Sequence, residues 1–237
     1  MKKLTIFALA LLGWFSTANA GPIQGVNFGV SLQAGVFEVD GASEKFSGAH
    51  SGGASPGDVT KKNTEHGDEA EGLFAIGSVF LEARLTDQFS IGVDYVPEAL
   101  ESETAENKQS DMTTSNTATD RTNTVQVDFD ELTTIYVMIK PNGSGSGPYL
   151  KAGMMSVDVN TNENLGTGGA YGNTSLDGTL LGVGYDMERD NGVFLRAEAN
   201  IMDMDGATLT NSNDSAKQIT ADGISGYGAR VSIGRSF

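Results

Sequence analysis

The chain has 237 residues, no cysteine, and 31 acidic against 15 basic side chains, a formal charge of −16. Without cysteine no disulfide can brace it, and without clustered Lys and Arg it lacks the surface that displaces counterions from nucleic acid. Beyond its first segment no stretch is apolar enough for a membrane-spanning helix, so a membrane role must rest on strands of about 9 to 11 alternating residues.

Lys2 and Lys3 precede an apolar run over residues 4–15, and Ala18-Asn19-Ala20 places small residues where a signal peptidase cuts. The run is shorter than the roughly 20 residues a spanning helix needs. Residues 1–20 are therefore read as a cleavable signal peptide that removes Trp14, and residues 21–237 as one mature domain.

The first mature strand places Val26, Phe28, Val30, Leu32, Ala34 and Val36 on one face, with Asn27, Gly29, Ser31, Gln33 and Gly35 on the other. Such strict alternation marks a strand with two unlike sides. After a polar connection over residues 38–71, Leu73, Ala75, Val79, Leu81, Ala83 and Leu85 resume the apolar phase. A short turn leads to Phe89, Ile91, Val93 and Tyr95, and Pro97 ends that strand because proline cannot donate to a ladder.

Residues 98–123 carry almost no large apolar side chain and read as a mobile loop. The fourth strand begins near Val125 and shows Ile135, Val137 and Ile139 in one phase, interrupted above by Glu131 and Thr133. That upper half is read as projecting beyond hydrocarbon, where the constraint on the outward face lapses. A Gly-rich turn over residues 141–147 precedes a fifth strand with Leu150, Ala152 and Met154.

Residues 160–173 form the third long connection, and the sixth strand sets Leu181, Val183, Tyr185 and Met187 against Leu180, Gly182, Gly184 and Asp186. A turn over residues 188–192 leads to Val193, Leu195, Ala197, Ala199 and Ile201 of the seventh strand, and residues 205–220 form the fourth long connection. The last strand carries Tyr227, Val231, Ile233 and Phe237 in one phase, with Arg235 sharing that phase near the chain end. The expected fold class is all-β: an eight-stranded antiparallel up-and-down transmembrane β-barrel whose connections alternate long and short.

The inward phase collects Glu82, Arg84, Asp94, Lys140, Lys151, Asp186, Arg196, Glu198 and Arg230, four acids facing five bases. An eight-stranded barrel is just wide enough for side chains to fill, so this set predicts a plugged core of ion pairs rather than an open pore. In the alternative, a soluble barrel, Arg84, Arg196 and Glu198 would be exposed and Val30, Val93 and Val231 buried. The remaining acids sit in the connections and read as a solvated, surface-exposed face.

Nothing marks a catalytic set. His50 and His66, the two histidines, both fall in the first long connection with no strand to hold them beside a nucleophile. Asp203-Met204-Asp205-Gly206 is too short to make a calcium loop. No cofactor, metal site or enzymatic activity is expected. A narrow passive channel for ions or small solutes, and an interfacial lipid-directed enzyme, remain the alternatives.

The terminal aromatic phase, with Pro148-Tyr149-Leu150-Lys151-Ala152-Gly153 and Gly226-Tyr227-Gly228-Ala229-Arg230, resembles the small OmpA/OmpX-type family of bacterial outer-membrane β-barrels. The resemblance implies Tyr227, Val231, Ile233 and Phe237 as the C-terminal strand signal and insertion by the barrel-assembly machinery. It also implies residence among outer-membrane lipid and lipopolysaccharide, with loops that meet an unidentified extracellular partner. A monomer is expected.

Overall fold

The computed structural model describes residues 23–39, 42–46, 70–97, 100–101, 104–112, 118–143, 145–165, 170–213, 215 and 217–237. The expected signal peptide, residues 1–20, lies outside them, as do His50 and His66. The strands are β1 (Gly25–Val39), β2 (Ala42–Phe46), β3 (Ala70–Arg84), β4 (Phe89–Val96), β5 (Leu100–Glu101), β6 (Ala105–Met112), β7 (Ala118–Ile139), β8 (Gly147–Leu165), β9 (Thr174–Glu188), β10 (Val193–Met204), β11 (Ala207–Thr210), β12 (Lys217–Ala221) and β13 (Ile224–Ser236). All described regular structure is β.

Eight of these strands close a barrel in the order β4-β3-β1-β13-β10-β9-β8-β7, with β7 pairing back to β4. All pairings are antiparallel. Following partners once around, from Leu81 through Val93, Ile135, Met154, Thr179, Asp203, Ser225 and Glu38, returns to β3 at Glu71, ten residues from the start. That stagger is the shear that tilts the strands and fixes the bore.

The short connections expected at one end are tight turns. Thr86 Oγ1 accepts hydrogen bonds from the Gln88 and Phe89 amides at 3.2 and 3.0 Å in the β3–β4 turn. In the β9–β10 turn, Gly192 takes a φ of +80°, a conformation that glycine adopts without the steric cost of a Cβ.

The long connections differ from expectation. Residues 98–123 are not simply a loop: β6 pairs with the start of β7 from Ala105↔Val125 to Met112↔Ala118, and β5 pairs with β7 at Leu100↔Phe129. β8 continues to Leu165, inside the expected third connection, still paired with β7. β11, β12 and β2 form a separate three-stranded sheet from the first and fourth connections. β6 and the upper end of β8 lack the apolar alternation by which a strand is recognised and are held by pairing with β7, whereas β11, β12 and β2 are too short to show a period and pair among themselves.

The interrupted phase near Glu131 is a β-bulge. Register between β7 and β8 shifts between Asp130↔Asp158 and Thr133↔Ser156, and Glu131 has a φ of +54°. One extra residue reverses the faces. Thr134, Tyr136 and Met138 point inward below the bulge, and Val127 and Phe129 pack inward above it. Without the bulge, Asp128 and Asp130 would take those inward positions.

Four aromatic rings of the lower lumen lie over glycines directly opposite them: Phe80 over Gly29, Tyr136 over Gly92, Tyr149 over Gly184 and Phe194 over Gly234. A Cβ at any of these glycines would run into the ring. Gly92→Ala is expected to destabilise the barrel by about 1–3 kcal/mol, because displacing Tyr136 outweighs the smaller backbone-entropy gain. Urea titration of the refolded variant in lipid vesicles reads this directly.

Candidate functional site

The site is the lumen, because inward side chains from every barrel strand converge there. Glu82 on β3 accepts two hydrogen bonds from Arg196 on β10, at 2.7 and 3.0 Å, and one each from Asn27 at 2.7 Å and Tyr136 at 3.0 Å. Arg196 also donates through Nε to Asp186 Oδ2 at 3.1 Å, an oxygen shared with Lys140 Nζ at 3.1 Å. Arg196 lies over the Phe194 ring, 4.4 Å from its centroid. A carboxylate with four donors and a guanidinium with two acids keep their charges out of water without leaving them unpaired.

A second cluster lies beside it. Arg230 on β13 grips Asp94 on β4 through two 2.9 Å hydrogen bonds and reaches Ser78 Oγ at 3.2 Å. Glu198 is 3.5 Å from Lys151 Nζ and accepts from Tyr149 at 3.0 Å and Asn200 at 3.1 Å. Lys151 also sits 4.3 Å from the centre of the Tyr136 ring. Arg84, the remaining inward charge, lines a lower cavity together with Asn27 and Asp186. In these three residues Arg84 Nε, Asn27 Oδ1 and Asp186 Oδ1 have no hydrogen-bond partner. Two lumen cavities each leave about 10 Å³, room for about one water.

The two faces of the wall could not be less alike. Arg196 and Glu198 are 5% and 6% exposed, whereas Val30 and Val231 are 52% and 55% exposed. Leu32, Leu73 and Met154 stand out still further, at 74%, 84% and 75%. Arg84 and Val93 are half-buried. A soluble barrel would have these faces reversed. A closed wall with its charges inside and an apolar belt outside is solvated by lipid. The protein is a small eight-stranded outer-membrane β-barrel.

No family model matches the chain, and no curated protein matches it. Among solved structures it is similar to the outer membrane protein OprG from Pseudomonas aeruginosa, at 12% identity over 92% of this chain and 98% of that one, with a TM-score of 0.44. It is similar to the outer membrane protease OmpT from Escherichia coli, at 11% identity over 94% and 99%, with a TM-score of 0.43. It is also similar to Ail, the attachment invasion locus protein of Yersinia pestis, at 9% identity over 90% and 99%, with a TM-score of 0.33. The membrane assignment rests on the two faces of the barrel itself.

Within this outer-membrane barrel, the polar lumen expected from sequence occupies only the lower part. Above Asp94, Lys151 and Arg230 the inward phase turns apolar, with Phe74, Val96, Met155, Val157, Leu176 and Leu180 all buried. Val157, Val159 and Leu176 form a cluster against Val127, Phe129, Leu132, Met204, Ala207 and Ile224. Its signal was present in the sequence, since Phe74, Val96 and Leu180 fall in the same phase as the charges. The sequence reading put Asn27 and Asn200 on the inward face without joining them to the network, and left Tyr136 and Tyr149 out of it, because hydroxyls and amides do not announce which acid they will meet.

At the ends of the barrel, Tyr227, Val231, Ile233 and Phe237 all face outward, 54% to 64% exposed. Phe237 stacks on Phe28 with centroids 5.6 Å apart, and the Arg235 guanidinium sits 5.2 Å from the Phe237 ring centre. Asp203 and Asp205 are exposed at the other end, and among the described residues no three acids or histidines gather to hold a metal.

Proposed function

We propose that this barrel is a sealed anchor that works in envelope structure or surface interaction, through the polar strands it carries above the membrane. The observation that supports this most is the two ion pairs that cross the bore between strands that are not neighbours, Glu82–Arg196 and Asp94–Arg230, with Asp186 on the strand beside Arg196 completing the first. The apolar layer above them, around Val157 and Leu176, is a second obstacle to a hydrated path. The β6–β7–β8 ribbon then extends the wall, with Asn160 and Asn162 donating to Asp130 and Asp128 at 2.6 and 2.7 Å across its polar face. Ordered strands rather than a bare tether present that face, which suits recognition by an extracellular partner.

In this reading the barrel-assembly machinery inserts the chain, lipopolysaccharide surrounds it, and it acts as a monomer without catalysis. The test is planar-bilayer conductance of the refolded chain, beside gel mobility of heated and unheated samples. A heat-modifiable band without discrete current steps is the expected result. Regular single-channel steps from the folded species would make the lumen a pathway and overturn the proposal.

A further inference from the structure

The apolar belt of the barrel is far taller on one flank than on the other. From Val26 to Val36 on β1 and from Ala83 to Leu73 on β3, each a span of ten residues, every outward residue is apolar or glycine. At about 3.3 Å per residue and a tilt of about 40°, ten residues rise about 25 Å, the height of an ordinary barrel belt. On β8 and β9 the apolar phase stops after Met154 and Leu181, six residues above Pro148 and Met187. Six residues rise only about 15 Å.

What replaces the belt there is polar and faces outward. Ser156 and Thr179 are exposed, while their chain neighbours Met155 and Leu180 are buried in the lumen. Thr133, Ser156 and Asp177 are direct neighbours across β7, β8 and β9. Asp130 and Asp158 pair at the next step up, and with Asp177 and Asp203 on the adjoining strands they stand roughly ten residues from the turn end, at about the height where the opposite flank shows Val36, Leu73 and Tyr227. The shear rises gradually around the wall, so equal counts from the turn end mean similar heights.

We propose that β7–β9 form a low polar flank against which the outer leaflet is locally thinned, so that lipid headgroups meet the barrel about 10 Å lower there than along β13–β1–β3, with β10, apolar outward up to Ile201, as the step between them. The partner is a lipid surface rather than a second copy. Below the polar row the flank remains a lipid face, with Leu150 54%, Leu181 55% and Val183 55% exposed. Two copies meeting by this flank would oppose aspartate to aspartate.

The chain has no cysteine, so single spin labels report cleanly. Ser156→Cys and Thr179→Cys are compared with Ala34→Cys and Ala75→Cys at equal counts on the tall flank, in dimyristoylphosphatidylcholine vesicles. Val30→Cys and Ala152→Cys serve as a lower pair. Each variant is first checked for a heat-modifiable band. The expected result is a several-fold higher ratio of nickel-chelate to oxygen collisions at 156 and 179 than at 34 and 75, with matched ratios in the lower pair. Equal ratios at the four upper sites would overturn the proposal. Protection of 156 and 179 from both reagents would mean a protein covers the flank, and an upper difference mirrored by the lower pair would mean that the whole barrel tilts; either overturns local thinning.

Discussion

Glu82→Ala is expected to destabilise the folded barrel by about 3–5 kcal/mol, the usual consequence of removing one member of a buried pair. The Glu82 side chain is fully buried, and its loss strands three sets of donors at once: the Arg196 guanidinium, the Asn27 amide and the Tyr136 hydroxyl. Arg196 would retain only Asp186, already shared with Lys140. Glu82→Gln keeps an acceptor and the shape, so it should cost clearly less. The double variant Glu82→Ala, Arg196→Met should recover part of the loss, because the uncompensated cation goes with its partner. Urea unfolding in lipid vesicles, followed by heat-modifiable gel mobility, ranks the three. An unchanged midpoint for Glu82→Ala would show that water reaches the lumen freely enough to solvate Arg196, which is incompatible with a sealed bore.

The alternation of Val26 to Val36 and the charges from Glu82 to Arg230 made the eight-stranded wall and its charged lining legible, because lipid and lumen impose opposite demands on successive residues. The pairing within that lining was not legible. Glu82 and Arg196 are 114 residues apart and come level across the bore only through the shear, a property of all eight registers together. β6, β11 and β12 stayed hidden for a different reason. β6 has no apolar alternation to reveal it and is held by pairing with β7, while β11 and β12 are too short to show a period and pair with each other and with β2, Ala207 packing on the apolar cluster. The height difference between flanks was present in Ser156 and Thr179, but it gains meaning only when strands are aligned by height.

Deleting Glu131 is expected to unzip the upper half of β7 from β8 while leaving the lower barrel closed. The bulge is the sole register shift in the β7–β8 ladder, and everything N-terminal to it depends on that one extra residue for its phase. Without it, Val127 and Phe129 would turn out of the apolar cluster, forfeiting roughly 1 kcal/mol each, less than full burial because both are only partly buried. Asp128 and Asp130 would turn inward toward Val157 and Val159, losing the amides of Asn162 and Asn160 that now bind them. Unpaired carboxylates against apolar side chains cost more than the ladder returns, so separation of the ribbon is the cheaper outcome. Glu131→Gly separates phase from backbone strain. Glycine suits the φ of +54°, so that variant should keep the phase and leave the ribbon intact. Amide exchange across residues 123–130 and 158–165 distinguishes the two: protection should be lost in the deletion, retained in the glycine variant, and unchanged below Thr133 in both. Protection that survived the deletion would mean the ribbon holds by its hydrogen bonds alone, with no contribution from the apolar cluster beneath it.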